Sequence, residues 1–203
     1  MSGSTSIGYS SITQFKAQVE TNVGCVVILA GSGSDDERKK PDEPSHIEKI
    51  ANALKSYGIP FDVRIGSAHK QVLRLQNKSQ VNPHLQEIVD EYDSMPGALA
   101  YIAVAGGTDA LSGTLSFVSW RATISCPPDH LNASCMNNPS GSSNAYVGKP
   151  KSAARFVAQM FAHQNKFYKK TLLEESAMKI NSLIEDDEKI SQKYARMQGR
   201  GNA

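Results

Sequence analysis

Apolar residues along this chain fall into two rhythms, continuous short runs and returns at every third or fourth position. Val26, Val27, Ile28 and Leu29 form the first run, which stops at Gly31 and predicts a strand buried on both faces, as in parallel sheets. Ile47, Ile50, Ala51 and Leu54 then lie on one helical face. Ser45, with Glu48 three residues on, is a capping box that starts this helix, and Gly58 ends it. Phe61 to Ile65 alternates and predicts a second strand, completing a right-handed βαβ unit. A helical region over 83–92 leads through Pro96-Gly97 into the apolar run 98–105, another core strand that ends in glycines. Leu111, Leu115 and Val118 share one side of a helix over 109–118. Shorter strands are predicted over 123–126 and 145–147, and Ala154, Val157, Ala158 and Phe161 line a helix over 151–163. Leu173, Ala177, Ile180 and Ile184 carry a second long helix that ends near Gly199.

This alternation predicts an α/β fold, a doubly wound parallel sheet whose ligands bind at the carboxyl ends of the strands. Residues 1–22 are rich in Ser and Thr and read as a loosely held polar arm. The α/β domain spans 23–170, and 171–203 is a helical extension. The stretch 35–44 holds two prolines and no apolar residue, so it is an exposed loop. No internal repeat or second domain is visible.

Charge changes the picture little: 22 Lys and Arg balance 20 Asp and Glu, which gives no reason to expect nucleic acid or an anionic membrane as partner. The first residues lack the pattern of a signal peptide, and no apolar run approaches the roughly 20 residues of a membrane span. Cys25, Cys126 and Cys135 show no CxxC or metal-type spacing and read as reduced thiols of a cytoplasmic protein, with no metal site.

Candidate chemistry sits after three strands. Gly31-Ser32-Gly33-Ser34-Asp35 offers backbone and hydroxyl donors to an anion, and a carboxylate for ribose hydroxyls. Gly66-Ser67-Ala68-His69-Lys70 offers a proton shuttle beside a cation for phosphate. Ala105-Gly106-Gly107-Thr108-Asp109 opens a helix, and helix starts attract anions. It is not GxGxxG, so no dinucleotide fingerprint is indicated. Each loop alone is also what an ordinary turn looks like; their joint placement on one rim of the sheet favours a site.

The order GSGSD (31–35), SAHK (67–70), AVAGGTDALSG (103–113) and GKPKSAARFVAQMFAHQNK (148–166) resembles the aminoimidazole ribonucleotide carboxylase/mutase family of purine biosynthesis, over about 24–170. The resemblance implies a flavodoxin-like three-layer α/β/α fold assembled as a homo-octamer, with active sites shared between subunits. It implies transfer of a carboxylate to C4 of aminoimidazole ribonucleotide, from the N5-carboxylated nucleotide or from carbon dioxide, without metal or organic cofactor. Carried over, Ser32 and Asp35 hold the ribose and nearby polar atoms, and Ser34, Ser67 and Lys70 surround the phosphate. His69 is the general acid/base for the C4 proton. Gly106 and Gly107 let the backbone approach the imidazole and the mobile carbon dioxide, and Ala105 and Leu111 complete the substrate-binding set.

The match has departures. The family's SAHR arginine is Lys70, which exchanges a bidentate grip for a single ammonium. The histidine of its GGAAHLPG aligns with Ala110 and the proline with Ser112, while Asp36 replaces an aromatic. The segment 130–146 is shorter than the family's loop, and Asn132, Ser134, Asn137 and Asn138 offer it new contacts. Asp129 with His130 is a candidate site pair and Cys135 a candidate nucleophile. His46 reads as a solvated residue at a helix start, His84 as a surface one and His163 as structural. These departures keep two other readings open: a paralogue acting on a different phosphorylated substrate, and a nucleotide-binding subunit without catalysis.

Overall fold

The structure, a computed structural model, describes residues 12–70, 72–75, 78–81, 84–108, 110–129 and 131–199. Its frame is a five-stranded parallel sheet in the order β2-β1-β5-β6-β7. The strands are β1 (Cys25–Ala30), β2 (Phe61–Ile65), β5 (Leu99–Val104), β6 (Thr123–Ser125) and β7 (Asn144–Tyr146). β1 lies between β2 and β5, with Ile28 opposite both Val63 and Ile102, and every β1 residue is buried. That is why its sequence is an unbroken apolar run.

Alternate strand residues point to opposite faces and build two cores. Val26, Ile28 and Ala30 pack with α2 (His46–Ser56), α5 (Pro150–Phe161) and the start of α6 (Lys166–Gly199). Cys25, Val27 and Leu29 pack with α1 (Ile12–Thr21), α3 (His84–Asp93) and α4 (Leu111–Val118). Helices therefore cover both faces, as the alternating pattern predicts.

Local signals act where they stand in the chain. Ser45 Oγ accepts the Glu48 N–H at 3.0 Å, and Glu48 accepts the Ser45 N–H at 2.7 Å. At the other end of α2, Gly58 has φ +66° and the N–H of Ile59 reaches back to the carbonyl of Leu54, a Schellman closure. In α5, Ala154, Val157 and Ala158 are fully buried and Phe161 packs at the core's margin. α4 begins at Leu111, two residues inside the expected span, and Asp109 lies outside the described residues.

Two features differ from the sequence reading, while the long C-terminal helix is present as expected. The second half of the polar arm is helix α1, pinned by buried Phe15 and Val19 one turn apart, with the Phe15 ring edge-on to Tyr92 at 5.9 Å. Residues 1–11 of that arm lie outside the described residues. Between β2 and α3 the chain forms an antiparallel ribbon of β3 (Val72–Leu75) and β4 (Lys78–Val81), which no periodicity had marked. The 34-residue α6, about 50 Å long at 1.5 Å per residue, is held mainly by Tyr168 and Leu172. Its expected apolar face, Leu173, Ala177, Ile180 and Ile184, is exposed in the single chain. No described helix is long and apolar enough to cross a membrane.

Candidate functional site

Parallel register brings the ends of β1, β2 and β5 side by side: Ala30 lies opposite Ile65 and Val104. The three loops that leave these ends are therefore neighbours. The first turns through a short 3₁₀ segment, Gly33–Asp36, that aims the Asp35 side chain across the rim. Asp35 Oδ2 accepts the Ser32 N–H at 2.8 Å and the Ser32 hydroxyl at 3.1 Å, and Oδ1 accepts the Gly106 N–H at 3.1 Å. Asp35 thus ties the first loop to the third. Ser34 Oγ lies 2.7 Å from Ser32 Oγ. In the second loop Ser67 Oγ accepts the Lys70 N–H at 3.3 Å and lies 3.3 Å from His69 Nδ1, while the His69 and Lys70 side chains are exposed.

Together the loops enclose a cavity of about 280 Å³. Ser32, Ser34 and Asp35 line it from the first loop, and Ser67, His69 and Lys70 from the second. Ala105, Gly106 and Leu111 close it from the third. Gly107, the remaining candidate, stands behind this wall with φ +71° and donates its N–H to Asp129 Oδ2 at 2.8 Å. Thr108 and Ala110 line the cavity too, although the sequence had not singled them out for contact. The successive N–H groups of Gly106 and Gly107 would form an anion-binding nest if free. Asp35 and Asp129 occupy them instead, so this glycine pair offers no free nest.

A second cleft, of about 340 Å³, adjoins the first across Ser34 and Asp35. Lys39, His46, Lys49 and Asp129 are among its walls, so the charged insertion helps to build it. His46, expected to be solvated, is half-buried, and its Nε2 donates to the Cys126 carbonyl at 2.9 Å. Burial lowers the pKa of its imidazole. His84 is exposed at the start of α3, 3.1 Å from the Ile65 carbonyl, and His163 is exposed as well. His130 lies outside the described residues, so the pairing of Asp129 with it does too. Cys135 is 1 % exposed and lines neither cavity, a poor position for a nucleophile. Among the described residues no cluster of three His, Cys, Asp or Glu side chains is placed to hold a metal ion.

A parallel sheet with its first strand inside, flanked in the order 2-1-3-4-5 when only its own strands are counted, and a polar cavity at the carboxyl edge define a flavodoxin-like α/β ligand-binding protein. The model of the AIR carboxylase family matches residues 25–181. The chain belongs to the AIR carboxylase family, enzymes of carboxyl transfer in purine biosynthesis. It is 37 % identical over 174 residues to phosphoribosylaminoimidazole carboxylase of Treponema denticola, covering 81 % of this chain and 96 % of that one. It is 27 % identical over 177 residues to N5-carboxyaminoimidazole ribonucleotide mutase of Methanocaldococcus jannaschii, covering 83 % and 99 %. The crystal structure of Treponema denticola PurE superposes with a TM-score of 0.69 at 34 % identity, covering 81 % of this chain and 97 % of that one.

Proposed function

We propose that this chain carboxylates C4 of aminoimidazole ribonucleotide, with His69 as general acid/base. The observation that carries the reading is the meeting of His69 with the Asp35 and Gly106 loops around one cavity of substrate-binding size. The substrate's phosphate lies against Ser67, Lys70 and Ser34. Its ribose faces Ser32 and Asp35, whose carboxylate retains lone pairs beyond its internal bonds. C4 attacks the carbon of carbon dioxide, a C–C bond forms, and His69 takes the C4 proton so that its electron pair returns to the ring. When the N5-carboxylated nucleotide is the donor, the N5–C bond breaks first. His69 then gives a proton to N5 and recovers one from C4. Confining carbon dioxide beside the ring removes the entropic cost of a second encounter, and it needs no cofactor.

The exposed residues along α6, including Leu173, Ile180, Leu183 and Ile184, support self-association, and a homo-octamer acting in the cytoplasm fits this reading. A second reading, a different phosphorylated substrate, is favoured by the cleft that the charged insertion adds beside Ser34 and Asp35. Incubation with aminoimidazole ribonucleotide and bicarbonate, and separately with the N5-carboxylated nucleotide, followed in the ultraviolet, separates the two. C4-carboxylated product from wild type, reduced by about 10²–10⁴-fold in His69→Asn with nucleotide affinity retained, is the expected result. Equal rates for wild type and variant would end the catalytic role of His69, and no product in either mixture would favour the second reading.

A further inference from the structure

The loop after β6 reaches back to the wall of the candidate site. Asp129 Oδ2 accepts the Gly107 N–H at 2.8 Å, and Asn132 Nδ2 donates to the Gly107 carbonyl at 2.9 Å. Asn132 Nδ2 also lies 3.1 and 3.2 Å from the two Asp129 carboxylate oxygens. The amide of Asn132 is itself oriented, because its Oδ1 accepts the Ser134 N–H at 3.1 Å and the Ser134 hydroxyl at 2.5 Å. Gly107 is therefore held at its N–H and at its C=O by one closed set of side-chain bonds.

Two further observations show that this contact is built. Asn132 is 7 % exposed, a burial that an amide tolerates only when its bonds are made. The residue before it, Leu131, has φ +61°, the left-handed region that a bulky side chain avoids, while its own side chain is 71 % exposed. The surface Leu gains no packing in return for this strain; what the turn accomplishes is to point Asn132 inward. An added Cβ on Gly106 would lie 3.7 Å from Asp129 and 3.8 Å from Asp35, so the glycine pair is gripped between two carboxylates from distant parts of the chain.

We propose that Asp129, oriented by Asn132, is a positioning residue of the candidate active site, holding the 105–108 loop in the shape that closes the cavity beside His69. The proposal rests on the carboxylation reading and deepens it. Glycine backbone has the widest conformational freedom, and Gly106, against which the reacting ring is to lie, is followed directly by Gly107. Displacements near 1 Å at such a wall cost about 10²-fold in rate.

The test compares wild type with Asp129→Ala, Asp129→Asn and Asn132→Ala in steady-state carboxylation and in amide hydrogen exchange resolved at Gly106, Gly107 and Ile28. Asp129→Ala should lower kcat about 100-fold with KM within about threefold. Exchange at Gly107 should quicken at least about tenfold while Ile28, in the core of the sheet, keeps its protection. Asp129→Asn keeps one acceptor for Gly107 and should recover about tenfold of the lost kcat, which a general loss of fold would not give. Asn132→Ala, which leaves the Asp129 bond in place, serves if Asp129→Ala fails to fold. Unchanged kcat in Asp129→Ala, or faster exchange at Gly107 without any loss of kcat, overturns the proposal. If wild type turns over neither nucleotide, the functional reading falls by itself; Asp129 is then judged on exchange, and unaltered Gly107 protection ends its role in the loop.

Discussion

Replacing Asp35 by Asn removes one charge and almost no volume, and so isolates the link between the first and third loops. The carboxylate accepts at both oxygens: Ser32 N–H and Oγ at Oδ2, and Gly106 N–H at Oδ1. An amide keeps a single acceptor. If its oxygen faces Ser32, its NH₂ opposes the Gly106 N–H; if it faces Gly106, both Ser32 donors lose their partner. The first arrangement is better because it preserves two bonds and breaks one. A hydrogen bond to a charged group contributes about 1.5–3 kcal/mol. Asp35 is half-buried, so water compensates part of the loss and about 2 kcal/mol is expected.

For a chain of this size that amounts to a fall of roughly 4–8 °C in Tm. Thermal unfolding by circular dichroism at matched protein concentration measures it, since assembly shifts the midpoint by mass action. Ser32→Ala is the internal control. It removes a hydroxyl bond within the first loop and leaves Gly106 tied, so it should cost about 1 kcal/mol or less. The same Asp35→Asn protein should lose kcat/KM, because the third loop is no longer fixed against the first. A melting point within about 1 °C of wild type would show that the Asp35–Gly106 bond contributes nothing, and the joining of these loops would need another cause.

Two other consequences follow from the packing and the charges. A methyl group at Gly97 would stand 2.0 Å from the Val19 carbonyl oxygen and 2.6 Å from its Cγ1, so Gly97→Ala should destabilise the protein by about 3 kcal/mol in urea unfolding, against an unchanged stability if α1 were loosely held. Burial pushes the Glu175 carboxyl up, but hydrogen bonds from Tyr57 and Arg155 and ion pairs with Lys179 and Lys151 outweigh it and hold the pKa at about 2. A depressed folded-state pKa stabilises above the ordinary 4.5 and is lost as pH falls toward about 2, so wild type should weaken across that window more steeply than Glu175→Gln; parallel curves would refute the assignment.

What the sequence made legible follows from local causes. The β1 run, the Ser45–Glu48 box and the α5 face each state their structure within one or two turns of chain, and the structure agrees with them. Helix α1 escaped although Ile12, Phe15 and Val19 stand at i, i+3 and i+7, because a helix of only ten residues following a Ser/Thr-rich stretch read as part of one polar arm. The expected apolar side of α6 was real as a pattern but silent about its partner: periodicity says which residues share a face and nothing of what lies against it. His46 was misread for a related reason. A helix-start histidine is exposed unless another element arrives above it, and the Cys126 carbonyl that does so lies 80 residues away.

The candidate site shows the same division at closer range. Most of its lining residues were legible because they lie on loops that leave strand ends, and parallel topology forces strand ends together; Thr108 and Ala110 were not. Their bonding was not, because the chemistry that fixes the glycine pair comes from outside the loop that contains it. Gly106 and Gly107 read alone as an open nest for an anion, a reading that depends on their N–H groups being free. Asp35 arrives from 71 residues before Gly106 and Asp129 from 22 residues after Gly107, and together they convert an anion site into a fixed wall. In the proposed binding mode, negative charge at that wall disfavours a phosphate there, in keeping with a phosphate held against Ser67, Lys70 and Ser34. In that mode two carboxylates orient the ligand, and one of them, Asp129, lies outside the motifs that reveal the family.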